Sequence, residues 1–430
     1  MWIAPVRGGG DAASMAIPAQ SAPAAGATLE KETAAVETSV LVPARVPRAL
    51  GWLWPESGAL SPIPALDGVR ALAVLLVMLF HAWHNQPAML APGAAADASP
   101  IWYARTGLDT FFVLSGFLLF LPYAQWTFGL GGEPSARKFY KRRILRVGPA
   151  YWLCLGILVL TAPLTTSSIA DGLVHVPFVF NFVPASIFTI NGVFWTMAVE
   201  VQFYAVLPLI GWALYRLAQR SGVLAAAAML FGGMLVISFA SGLANRLAGV
   251  EQIPVWSGIA GQRSMSFYLA VFGCGILASV VYTYLTRVAA LTVKQKRSLE
   301  RLAVAAVVAA VAVGVGFAFK PSVLNLEAGR NILYGAVFGA LLFGVLLAPP
   351  AWGWIFRTPV VRFIGLISYS LYLWHTIILN LMVGWIPQTL GQGERVLIGF
   401  GLELVIAVPV AYLSYLVAER PFMIARKRAH

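Results

Sequence analysis

The chain has 430 residues, 59% of them hydrophobic and 11% charged. Soluble domains are roughly 45–50% apolar and about 25% charged, so this composition excludes an ordinary soluble fold and predicts an all-α polytopic membrane helix bundle. The formal charge of +13 would suggest nucleic acid in a soluble chain. In a membrane protein it is read as topological, and no nucleic-acid partner is expected.

Residues 1–60 are rich in Ala, Pro, Gly and Ser, with neither a long apolar run nor the basic start and apolar core of a signal peptide. They are expected to form a disordered cytoplasmic tail. Residues 61–420 are expected to form the transmembrane domain, and 421–430 a short basic cytoplasmic tail. Ten stretches approach the roughly 20 apolar residues that a helix needs to cross a bilayer: 66–83, 106–124, 144–163, 193–216, 223–241, 264–286, 300–319, 332–350, 360–384 and 397–418. The stretch "LVHVPFVFNFVPA", 173–185, is too short and holds two prolines; it is expected to lie at the interface or to re-enter. With the N-terminus inside, 23 of the 30 lysines and arginines fall on inner segments and six on outer ones. That asymmetry predicts both termini in the cytoplasm of a multi-pass cell-membrane protein. Cys154 and Cys274 lie in apolar runs without metal-ligand spacing, so no metal site is expected.

Ionisable groups inside spans are costly and tend to face the bundle interior or a cavity. The first span, "LDGVRALAVLLVMLFHAW", carries Arg70 and His81. Eleven residues at 100° each come within about 20° of whole turns, so the two share a helix face about 16 Å apart along the axis. Arg70 is read either as a snorkelling residue paired with Asp67 or as a functional cation. His81 is either a hydrogen-bonded structural histidine or a base. Asp109 marks the outer end of the second span, where Ser115 and Gly116 permit close helix packing. Lys141, Arg142, Arg143 and Arg146 cluster at the inner mouth of the third. They read as an anchor to anionic lipid or as a dock for polyphosphate. Glu200, His375 and Glu403 lie inside later spans.

Five motifs then occur in order: "RALAVLLVMLFH", "GLDTFFVLSGFLL", "FYKRRILRVGPAYW", "FWTMAVEVQFY" and "SYSLYLWH", with "AERPF" near Glu419 closing the series. In these the sequence resembles the membrane-bound acyltransferase family 3, bacterial enzymes that O-acylate surface polysaccharides and related acceptors. The resemblance covers nearly all of the chain after the tail, and it is specific because five motifs fall in order on ten spans. It implies a cytoplasmic acyl-coenzyme A donor, acetyl-CoA most commonly, with no tightly bound cofactor, and an acceptor hydroxyl on an extracytoplasmic glycan or glycolipid. By the same resemblance His81 is the catalytic histidine, Arg70 the arginine of its paired motif, and Glu200 the acid of a Trp-x-x-x-x-Glu motif that begins at Trp195. The family commonly has Ser-Leu or Ser-Val after that Trp, where this chain has Thr196 and Met197. Some members carry a fused extracytoplasmic serine-hydrolase domain; the sequence shows none, so the bundle is expected to perform transfer alone.

The expected roles follow. His81 is the base, or the acyl carrier of a covalent variant, with Glu200 or Asp109 orienting it or the acceptor. Arg70, Lys141, Arg142, Arg143 and Arg146 hold the donor phosphates. Trp195, Tyr204 and His375 bind substrate. A transporter or flippase is the competing class, since intramembrane charges fit it too; a sensor or scaffold with merely structural polar groups is a third.

Overall fold

The computed structural model describes residues 63–85, 100–161, 166–251, 259–319 and 327–423. The predicted tail, 1–60, and most of the C-terminal tail lie outside them. The long helices are α1 (Pro64–His84), α2 (Gly107–Thr127), α3 (Ala136–Thr161), α5 (Trp195–Ser221), α6 (Val223–Glu251), α7 (Met265–Thr283), α8 (Val293–Phe319), α9 (Glu327–Leu347), α10 (Pro359–Met382) and α11 (Gln392–Ser414), with a shorter α4 (Thr166–His175). No strand occurs among the described residues. This is the expected all-α solution, because a helix satisfies its own backbone where no water can.

Nine helices among the described residues are long and apolar enough to cross a membrane. The tenth predicted span, 300–319, is helical within α8 but is not among those nine. The stretch 173–185 does not cross: it holds the end of α4 and two one-turn 3₁₀ segments, with Phe178 at a φ of 61°.

Burial sorts the helices into a core and an outer layer. In the apolar windows of α10, α7, α1 and α2 between 61% and 72% of residues are buried, against 22% for α6 and 28% for α11. The core helices pack as the pairs α2–α7 and α1–α10. Glycines bring α2 and α7 together: a side chain at Gly116 would run into the Phe272 carbonyl, and one at Gly275 into the Val113 carbonyl. Close backbone approach through small residues is a standard membrane crossing, and Gly116 takes that predicted role. Ser115 beside it does not; its hydroxyl donates to Glu200 Oε1 at 2.6 Å.

Candidate active site

Alternating helix directions gather two groups of polar side chains at opposite ends of α1. At its start, Asp67 is buried and takes Arg70 Nη1 at 3.4 Å and Arg362 Nε at 3.7 Å. The start of α3 and the turn after α11 meet there too. Arg146 Nη1 lies 2.7 Å from Glu419 Oε2, and Ser370 Oγ donates to Glu419 Oε1 at 2.6 Å. Arg143 lies 6.0 Å from the ring centres of Phe139 and Tyr204, and Tyr204 sits beside the Glu200 carboxylate. Arg70 shares the electrostatic surroundings of Arg143, Arg146 and Glu200. Of the expected phosphate dock, then, Arg70, Arg143 and Arg146 come together, while Lys141 is exposed and Arg142 half-buried on the same helix. Arg146 also serves the fully buried Glu419, because a carboxylate in that position needs a counter-charge.

At the other end of α1 lies a cavity of about 640 Å³, within the usual range of ligand pockets. His81 lines it with Asp109 from α2, Trp195 from α5 and Tyr268 from α7. His375 packs behind His81, fully buried, with its Nε2 3.2 Å from His81 Nδ1.

Hydrogen bonding fixes the tautomers of this pair. His375 Nδ1 is 2.8 Å from the Tyr372 carbonyl. A carbonyl only accepts, so Nδ1 carries the proton and His375 Nε2 is the bare acceptor. His81 Nδ1 faces that Nε2 and, at 2.9 Å, the Val77 carbonyl. Two acceptors demand a donor, so His81 Nδ1 also carries its proton. Its Nε2 is left as an unprotonated lone pair with no partner among the described residues, on a side chain that lines the cavity.

Neither Glu200 nor Asp109 hydrogen-bonds to His81. Glu200 is taken by Ser115 and does not line the cavity. Asp109 does line it; the residue is buried and its Oδ1 has no hydrogen-bond partner. Trp195 borders the cavity as expected, Tyr204 belongs to the opposite group, and His375 touches His81 rather than the cavity. Glu403 belongs to neither group: it is fully buried in α11 and both carboxyl oxygens lack hydrogen-bond partners.

The sequence signature described as an acyltransferase domain matches residues 63–418. The chain belongs to this family. It is similar to a peptidoglycan O-acetyltransferase of Listeria monocytogenes, 23% identical over 84% of this chain and 55% of that protein. It also resembles nodulation protein 10 of Rhizobium leguminosarum, 24% identical over 83% and 92% of the two chains. A putative O-acetyltransferase of Staphylococcus aureus is 23% identical over 84% and 57%. The chain therefore spans little more than half the length of two of these relatives. No solved structure matches.

Within this membrane-embedded acyltransferase domain, the segment before α5 completes the site. Asn191 Nδ2 donates to the Leu373 carbonyl at 3.0 Å, and Thr376 Oγ1 donates to Asn191 Oδ1 at 3.0 Å. Thr196 Oγ1 donates to the Tyr372 hydroxyl at 2.8 Å, which donates to the Val193 carbonyl at 3.2 Å. These bonds clamp the segment to the same turns of α10 that hold His375. Ile190, next to the clamp, takes a φ of 38°. A β-branched residue there is strained and persists only where surrounding contacts dictate it. Sequence reading noted Thr196 only as a departure from the family motif and missed Asn191 and Tyr372, because ordinary polar residues carry no spacing signal.

Proposed function

We propose that this acyltransferase domain moves an acyl group, acetyl in the simplest case, from cytoplasmic acyl-coenzyme A to a hydroxyl of an extracytoplasmic saccharide. The observation that carries the reading is the bare Nε2 of His81 in a cavity, backed by the acceptor nitrogen of His375. The relatives named as O-acetyltransferases, one of them acting on peptidoglycan, support both the acyl group and a glycan acceptor.

The donor's phosphates rest against the basic end of α1, where Arg70 and Arg143 offer guanidinium groups suited to phosphate oxygens. The strong bias of lysines and arginines toward that end supports its being the cytoplasmic one. The extended thiol arm then spans the roughly 16 Å of helix between Arg70 and His81. The acceptor enters from the cavity. His81 Nε2 takes the proton of the hydroxyl as its oxygen bonds to the thioester carbon. The carbon–sulfur bond then breaks, and the leaving thiolate takes the same proton back from Nε2. During the step His81 is an imidazolium whose Nδ1–H is held by His375 Nε2 and the Val77 carbonyl. Asp109, with an unpartnered oxygen in the cavity wall, receives a second hydroxyl of the acceptor.

The test is transfer of labelled acetyl from acetyl-coenzyme A to a surface-glycan extract by the reconstituted protein. His81→Ala is expected to remain folded and to form no labelled ester, while Arg70→Ala raises the donor KM. Full ester formation by His81→Ala would sink the assignment.

A further inference from the structure

The cavity holds a cation that the transfer chemistry does not use. Arg263, just before α7, lines the cavity with its guanidinium stacked on two of the cavity's aromatic rings. Its Cζ lies 4.4 Å from the Trp195 ring centre and 5.8 Å from that of Phe188. Asn181 Nδ2 donates to the Arg263 carbonyl at 3.1 Å and fixes the backbone. Among the described residues the guanidinium makes no ion pair and no side-chain hydrogen bond, and its Nε is buried without a partner. Asp109, the only carboxylate lining the cavity among the described residues, lies in the field of Arg105 and Arg330. Among the described residues Arg263 is therefore a partly desolvated positive charge, held on aromatic faces, with no counter-charge.

Building on the acyl-transfer reading, we propose that Arg263 selects an acidic saccharide, one carrying a carboxylate on or beside the sugar that accepts the acyl group. A half-buried cation without a partner is costly, and a docking neutral sugar can offer it hydroxyl acceptors but no counter-charge. A carboxylate matches the planar fork of a guanidinium that is already held in place on aromatic faces. Trp195 and Tyr268 give the sugar ring flat walls, and Asn331 and Thr376 give its hydroxyls polar ones. The donor's phosphates do not compete for this charge, because their cluster lies at the opposite end of α1.

Calorimetric binding to the full chain in nanodiscs tests the assignment. The probes are methyl glucuronoside, methyl glucoside and glucose 6-phosphate. The wild type is expected to bind the glucuronoside at least tenfold tighter than the glucoside, with an affinity that falls as salt rises, and Arg263→Gln to erase the difference. Equal affinity of the wild type for the two glycosides would overturn the proposal, and that comparison needs no variant to fold. So would a preference that survives in Arg263→Gln, or tighter binding of the phosphate than of the carboxylate. The reading of the reaction fails separately: His81→Ala should keep the preference for the glucuronoside over the glucoside while forming no ester. Ester formation by that variant would remove His81 as the base of the reaction and leave the binding preference standing.

Discussion

Replacing His375 isolates the proposed base from its support. His375→Leu removes the ring nitrogen 3.2 Å from His81 Nδ1 but keeps an apolar body in a fully buried slot. The Val77 carbonyl remains within 2.9 Å, so His81 keeps its tautomer and loses one of two acceptors. That lost bond matters little while His81 is neutral and most when it carries a proton. A hydrogen bond to a charged group contributes about 1.5–3 kcal/mol, which is roughly a 10- to 150-fold fall in rate. The fall should appear in kcat, with both KM values within about twofold, because His375 does not border the cavity and the bond strengthens only as the proton arrives. His375→Gln, whose amide oxygen reaches a similar position, should recover most of the rate. Single-turnover transfer of labelled acetyl by matched, folded variants is the assay. A His375→Leu enzyme within twofold of wild-type kcat would refute the reasoning, as would a loss that Gln fails to restore.

Other parts of the structure carry their own expectations. Arg146→Ala takes from the buried Glu419 its ion-pair partner and leaves it the hydrogen bonds of Ser370 and the more distant charge of Arg70. It should cost about 3–5 kcal/mol of stability, while Arg146→Met with Glu419→Leu costs much less; equal losses in thermal melts would show that the pair does not compensate burial. Gly116→Leu forces a side chain against the Phe272 carbonyl and should destabilise by at least about 1–3 kcal/mol. A melting temperature equal to wild type would argue against that helix crossing. His175 lies outside the nine spanning helices, buried and stacked 3.9 Å from Phe180, with Nδ1 2.7 Å from the Asp171 carbonyl and Nε2 unpartnered. Burial lowers its pKa below the ordinary value, so below about pH 6.5 the unfolded segment binds a proton that the folded one refuses. Stability of this segment therefore rises with pH and is lost on acidification. Hydrogen exchange over 166–191 should speed up at pH 5 relative to pH 8 after correction for intrinsic rates, and His175→Phe should abolish the difference.

How legible the site was in the sequence depended on the cost of each residue's position. Arg70, His81, Asp109 and Glu200 stood out because charge and imidazole are rare inside apolar runs, and helical arithmetic alone put Arg70 and His81 on one face. The positions of the long helices followed from hydropathy; four agree within three residues at both ends, while α3 begins eight residues earlier and α6 ends ten residues later than expected. Partners were not legible. Glu200, ahead of Asp109, was expected to orient His81 or the acceptor, yet Ser115, read as a packing residue, takes Glu200. His375 looked like a substrate contact because nothing in "SYSLYLWH" says that its ring nitrogen meets a helix nearly 300 residues earlier. Arg263 was legible only as one of six outer-side cations, since its stacking on Phe188 and Trp195 joins three separate segments.

The two ends of α1 differ in how their charges are balanced, and that difference bears on direction. At the basic end two carboxylates are already taken: Asp67 holds Arg70 and Arg362, and Glu419 holds Arg146. Cations anchored in this way keep a fixed geometry whether or not a ligand is present, as a phosphate dock used in every turnover requires. At the cavity end Asp109 has an unpartnered oxygen and Arg263 an unpartnered nitrogen, both in the wall of the same space. Unpartnered buried polar groups disfavour the empty state and favour the complementary ligand that satisfies them. The same arrangement rejects a ligand that lacks the matching group. On the proposed reading, selection of substrate falls at the cavity end of α1, and the donor meets the end whose cations are already anchored.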